Sequence, residues 1–179
     1  MHRLFTPLSS GLVVAWAFAT LGALATAGCS SSSTPANPSD GEVSFANDVM
    51  PIFQTGCTVS GECHGQPNNA GEENLYLGDN ETNTQAIIAQ VYAQLVGIKS
   101  MEDPAMNLVT AKDVANSYLW HKLAGDQATF TSDCAKGMCG APTCLGTPCG
   151  TLMPYLGNAL DPASLDKINH WIAQGAANN

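Results

Sequence analysis

The segment "CTVSGECHG", Cys57 to Gly65, places two cysteines with five residues between them and a histidine directly after the second. Those side chains offer two chemistries. The thiols can add to the two vinyl groups of a porphyrin while His64 ligates its iron, a use of cysteine and imidazole found in covalent haem sites. Alternatively Cys57 and Cys63 close on each other as a small disulfide loop beside an incidental histidine. The usual attachment spacing is C-x-x-C-H. Only the Cys63–His64 junction must hold the imidazole under the metal, however, so a longer first loop containing Gly61 can bulge outward.

For the sixth iron ligand the leading candidate is Met153 in "TLMPY", 89 residues beyond His64, with His121 and His170 as lesser rivals. A thioether is a soft ligand, and pairing it with imidazole raises the reduction potential of haem iron. His121 and His170 lie in helical segments and read as core or surface residues. No Gly-rich phosphate loop, serine-nucleophile motif or H-E-x-x-H is present. Adjacent acids, Glu72–Glu73 and Glu102–Asp103, fall in polar stretches and read as solvated faces.

The other cysteines form a second pattern. Cys134, Cys139, Cys144 and Cys149 succeed one another with four residues between each. Equal spacing suits a zinc site, but in an oxidising compartment two disulfides are expected, with three pairings open. A closed loop of this size contributes roughly 2 kcal/mol in the chain-entropy view.

The oxidising compartment is implied by the first residues. Arg3, the apolar run "GLVVAWAFATLGALATA" and small residues before Cys29 read as an export signal over 1–28. "TAGC" before a serine run resembles a bacterial lipoprotein signal, in which Cys29 becomes the lipid-bearing first residue, although Thr26 stands where Leu is favoured. Ordinary secretion and an uncleaved anchor are the other readings. Acyl chains bind membranes at about 0.8 kcal/mol per buried CH₂. Residues 29–42 are, after Cys29, mostly Ser, Pro, Asn, Asp and Gly without apolar periodicity, the composition of a flexible tether. The folded domain is then 43–179, long enough for one modest core.

Loss of the signal removes Arg3, leaving five basic residues against fifteen acidic ones. Such a domain does not seek nucleic acid or anionic lipid.

Four segments must position these groups. "SFANDVMPIFQTGC" carries Phe45, Val49, Ile52 and Phe53 at helical spacing, with Ser44 as N-cap and Pro51 forcing a kink or a second start. "TNTQAIIAQVYAQLVG" has Thr84 as cap, Ile87, Ile88, Val91 and Leu95 on one face, and Gly97 at the end. "DVANSYLWHKLAG" predicts a helix capped by Asp113 and closed by Gly125. "DPASLDKINHWIAQGA" opens with an Asp cap and a proline in the first turn, and lines Leu165, Ile168 and Ile172 along one side. Long connections, 65–83 and 124–152, need a cofactor or disulfides to organise them. No strand candidate stands out, so the domain is predicted to be mainly α.

The order "FANDVMPIF", "CTVSGECHG", "AQLVG", "SYLWHKLAG", "MPY" and "LDKINHWIAQGA" resembles class I c-type cytochromes, close to the planctomycete-type cytochrome c-like domains, across nearly all of 43–177. The resemblance implies a cytochrome c-like helical domain whose N- and C-terminal helices cross. It implies one haem c joined to Cys57 and Cys63, with His64 and Met153 on the iron. It also implies electron transfer to a redox partner protein in the periplasm or envelope, and no enzymatic activity of its own. The chain departs from the pattern in the five-residue gap and in the four-cysteine insert. The alternative is a haemless, disulfide-stapled binding or structural module. With a lipid on Cys29, either would be held to a bacterial membrane, facing periplasm or cell surface.

Overall fold

Ser44 begins the first element. Its hydroxyl accepts the Asn47 N–H at 3.1 Å, and its own N–H donates to Asp48 Oδ2 at 3.0 Å, so the side chains at both ends of the first turn cap each other. That bond to Ser44 N–H and the Lys167 ammonium 3.2 Å away hold the Asp48 carboxyl below its ordinary range. The computed structural model describes residues 41–59, 63–67, 74–134, 149–155 and 158–179. Cys29, the signal, the tether up to residue 40, Cys139 and Cys144 lie outside these.

Phe45–Val49 is a π-helical turn that passes into α1, Met50–Gly56. The change of winding coincides with Pro51 in the first turn of α1, where a residue without an N–H costs least. The kink expected at Pro51 is therefore a wide turn leading into a fresh helical start. Helix α2, Gln85–Leu95, buries Ile88, Val91 and Leu95 and takes Thr84 as its cap. Beyond it, Gly97 has a φ of +76° that a side chain would strain.

Helix α3 is Tyr118–Ala124, starting later than the sequence suggested. Asp113 does accept a backbone N–H, that of Asn116 at 3.2 Å, but it caps a separate 3₁₀ turn, Val114–Asn116. Ser117 interrupts the two. Its hydroxyl donates to the Asp113 carbonyl at 2.7 Å and accepts the Thr110 N–H at 2.9 Å, which fixes an extended residue between turn and helix. A single turn, α4, spans Thr131–Cys134. Helix α5, Pro162–Gln174, has the Asp161 carboxylate on the Ala163 and Ser164 N–H groups, both at 3.0 Å.

The first and last elements pack together. The Phe45 ring stacks on Trp171 at 5.0 Å between centroids and meets Phe53 and Tyr92 edge-on at 6.5 and 5.5 Å. Such pairs contribute about 0.5–1.5 kcal/mol each beyond burial. Main-chain bonds reinforce this contact, since Ala46 N–H donates to the Asn179 carbonyl at 2.9 Å. Ile168, Trp171 and Ile172 complete a core shared with Val49, Met50, Val91 and Leu95.

Between α2 and α3, besides the 3₁₀ turn, the chain makes isolated β-bridges, such as Val96 with Val109. Among the described residues the architecture is mainly α, as the periodicity predicted. None of their helices is long and apolar enough to cross a membrane.

Candidate cofactor site

Cys57 caps the C-terminus of α1, donating its N–H to the Phe53 carbonyl at 2.7 Å. From there the chain leaves the helix and returns at His64, whose N–H donates to the Cys57 carbonyl at 3.0 Å. A second contact closes the neck. A Cβ on Gly65 would stand 2.7 Å from the Thr58 carbonyl oxygen, so only glycine lets the two backbones approach this closely. Cys57 and Thr58 on one side and His64 and Gly65 on the other thus form a closed neck.

His64 is half-buried and held through its ring. Nδ1 lies 2.7 Å from the Leu75 carbonyl oxygen. A carbonyl can only accept, so Nδ1 carries a hydrogen, and in the neutral imidazole Nε2 is then the nitrogen with the lone pair. A supporting bond of this kind fixes both tautomer and ring direction for metal ligation. The same segment is bound again where Leu77 N–H donates to the His64 carbonyl at 2.9 Å. Leu75, Tyr76 and Leu77 are buried, which makes this part of the 65–83 connection a firm support for the ring.

Cys57 is a buried thiol. Burial foremost, and the neighbouring Cys63 second, push it up to about 12, so it is neutral across the physiological range. In this structure the small disulfide loop of the alternative reading is not formed at Cys57.

Met153 reaches the same neighbourhood from the other end of the chain. Its N–H donates to the Lys122 carbonyl at 2.9 Å, and its side chain packs partly buried against the core. The next residue, Pro154, lies beside Gly56: a Cβ on that glycine would be 3.8 Å from Pro154 Cγ. Gly56 directly precedes Cys57, so Pro154, the residue after Met153, lies against the end of α1.

His121 is engaged at both nitrogens, with Asp126 Oδ1 at 2.7 Å from Nδ1 and the Ala115 carbonyl at 3.0 Å from Nε2. Its ring also sits edge-on to Phe130 at 4.6 Å, a core histidine fully used in packing. His170 pairs with Asp166 on α5 at 3.6 Å.

Comparison with known families finds no match, and comparisons with characterised proteins and with solved structures find none either. The site must be read from its own geometry.

Cys134 and Cys149 form a disulfide with Cα atoms 5.1 Å apart, one of the links left open by the equal spacing. Among the described residues, no three His, Cys, Asp or Glu side chains converge as a cage for a bare metal ion. Haem iron asks less of a chain, since the porphyrin fills four positions and the protein fills two. A cavity of about 260 Å³ is lined in part by Leu75, Ile98, Lys99, Met101 and Leu108. It includes neither His64 nor Met153 and falls below the roughly 300–1,000 Å³ of an ordinary ligand pocket.

One expectation is overturned. Glu102 and Asp103 are buried, at 1% and 0% exposure, rather than part of a solvated face. Glu102 Oε2 pairs with the Lys122 ammonium at 2.9 Å and accepts from the Tyr118 hydroxyl at the same distance. Sequence reasoning had one available signal here: Lys122 is the sole lysine within an otherwise largely apolar helix.

Proposed function

We propose that the chain is a single-electron carrier holding one haem c, with Cys57 and Cys63 as thioether anchors and His64 and Met153 as axial ligands. The observation that carries this reading is the His64–Leu75 bond. It fixes the ring direction of a residue fused to Cys63 and hydrogen-bonded to the carbonyl of Cys57. The donor set fits the group: a neutral thiol, an oriented imidazole, and a thioether on a segment packed against the helix end that bears Cys57.

When bound, haem supplies a one-electron iron couple. The chain's own tasks are to fix the imidazole through Leu75, to hold the Met153 segment on α3, and to keep the surroundings apolar, which together set the potential. The five-residue gap is compatible with attachment because the closed neck keeps His64 in place whatever the intervening loop does. The packing of the Phe45 turn on α5 and the order of the helices support a cytochrome c-like domain. On this reading the domain is tethered to a bacterial membrane through Cys29, faces the periplasm or cell surface, and passes electrons to an envelope redox partner rather than acting as an enzyme.

Intact mass and peptide mapping of protein matured in a host with a haem-attachment system test the proposal. A peptide carrying haem through both Cys57 and Cys63, retained in acid–acetone, is expected. A haem-free peptide with the two cysteines joined would refute it and favour the haemless module.

A further inference from the structure

The buried cluster around Glu102 sits against the segment that bears Met153. Residues 149–153 are fastened to α3 and its neighbours along their length. The Cys149 carbonyl lies 2.7 Å from the Tyr118 hydroxyl and 3.4 Å from Lys122 Nζ. The Tyr118 hydroxyl has one hydrogen and two acceptors, Cys149 O and Glu102 Oε2, and the ammonium supplies further donors to both. Gly150, at a φ of +64°, lies so close over this cluster that a Cβ would collide with Lys122 Nζ and Glu102 Oε1. Gln127, buried and with its amide oriented to satisfy both polar atoms, accepts the Leu152 N–H at 3.1 Å and donates to the His121 carbonyl at 3.2 Å. Met153 N–H then donates to the Lys122 carbonyl. Lys122 therefore holds both ends of this strap, one through its ammonium and the other through its backbone.

Nothing in the packing of the core requires a carboxylate and an ammonium at this depth; apolar side chains of the same volume would fill the space. What the charged pair adds is direction. It fixes the path of a segment that has no regular structure of its own, immediately before the methionine.

We propose that Glu102, Lys122 and Tyr118 are positioning residues that pre-form the 149–153 strap and so present the Met153 sulfur at a fixed place. The claim about iron rests on the electron-carrier reading. The claim about the strap stands on this geometry alone. Residues 102, 118 and 122 belong to no part of the proposed haem-attachment motif, so they act through Met153.

The test uses the full mature chain, prepared with and without haem attachment, in two variants. Tyr118→Phe removes one hydroxyl with little change of shape. The double substitution Glu102→Leu with Lys122→Met removes the pair while keeping the volume, which guards against a fold lost to one stranded charge. In haem-free protein, amide exchange at Met153 and Leu152 is expected to quicken by about tenfold or more in the double variant, and less in Tyr118→Phe, while Ile168 and Ile172 of α5 keep their protection. In haem-loaded ferric protein, the methionine–iron charge-transfer band is expected to weaken, and added imidazole to bind about tenfold more tightly. Unchanged exchange at Met153 in both variants overturns the strap. Faster exchange with an unchanged band and unchanged imidazole binding overturns its role toward iron. A parent chain that takes up no haem refutes the electron-carrier reading, and the exchange measurement still decides the strap.

Discussion

Two cysteine-bearing regions of this molecule are built on opposite plans. In the turn from Cys57 to Gly65 the cysteine at the helix end is a buried, neutral thiol, and the loop is closed by backbone contacts instead: His64 N–H on the Cys57 carbonyl, and Gly65 against Thr58. In the strap from Cys149 to Met153 the first cysteine is spent on a disulfide to Cys134, and the residues after it are fastened by the side chains of Tyr118, Lys122 and Gln127. The first region buries its helix-end sulfur as a neutral thiol and closes its neck through the backbone. The other is stapled first and then oriented by a buried ion pair. A disulfide alone would close the loop entropically without aiming it, so the charged cluster is the part of the second region that specifies direction.

The contrast can be broken at several points. The largest effect is expected where the second region stores its charge. Glu102→Ala leaves the Lys122 ammonium buried without its carboxylate, and should lower unfolding free energy by about 3–5 kcal/mol in denaturant melts. A loss below about 1 kcal/mol, the worth of an exposed pair, would mean the pair is not sequestered in solution.

The thiol in the first region has its own signature. Its folded value is raised above its unfolded one, so the stability it carries is fully present at neutral pH and is lost as pH rises from about 9 toward about 12. The haem-free chain should lose about 1.4 kcal/mol per pH unit in that window relative to Cys57→Ala, whose curve lacks this contribution. A thioether does not titrate. Haem-loaded protein should therefore show no such difference, and a persisting slope in loaded material would mean Cys57 is not an anchor.

Reducing the Cys134–Cys149 bond, which spans 15 residues, should cost about 3 kcal/mol in the chain-entropy estimate. This loss should leave the tautomer of His64, read from its ring nitrogens by NMR, unchanged, because the first region does not depend on the staple. A shift of the His64 signals on reduction would merge the two regions into one unit. The smallest change serves as the reference. Asp161→Ala removes the α5 cap at about 1 kcal/mol, and should alter melting without touching thiol reactivity or amide exchange in the strap.

How much of this was legible depends on range. Helices α2 and α5 could be read because their apolar periodicity, caps and terminal glycines are local signals that agree. The start of α3 could not, since Asp113 looks like a helix cap whether it caps an α-helix or a single 3₁₀ turn, and the choice is made by Ser117 bonding to Asp113 and Thr110. The chemistry proposed for Cys57, Cys63 and His64 rests on their spacing. The Leu75 carbonyl that orients the imidazole was not, because a backbone acceptor has no residue type to announce it. Glu102 is deceptive for a related reason. A carboxylate in a polar stretch signals solvent until a lysine twenty positions on, in a different element, is known to face it.

The most direct measurement is the visible spectrum of the mature protein, purified from cells equipped for haem attachment and recorded oxidised and then reduced. The account predicts red protein with sharp bands on reduction, haem that survives acid–acetone extraction, and loss of the native low-spin pattern in His64→Ala. A colourless protein in which Cys57 is joined to Cys63 would contradict it.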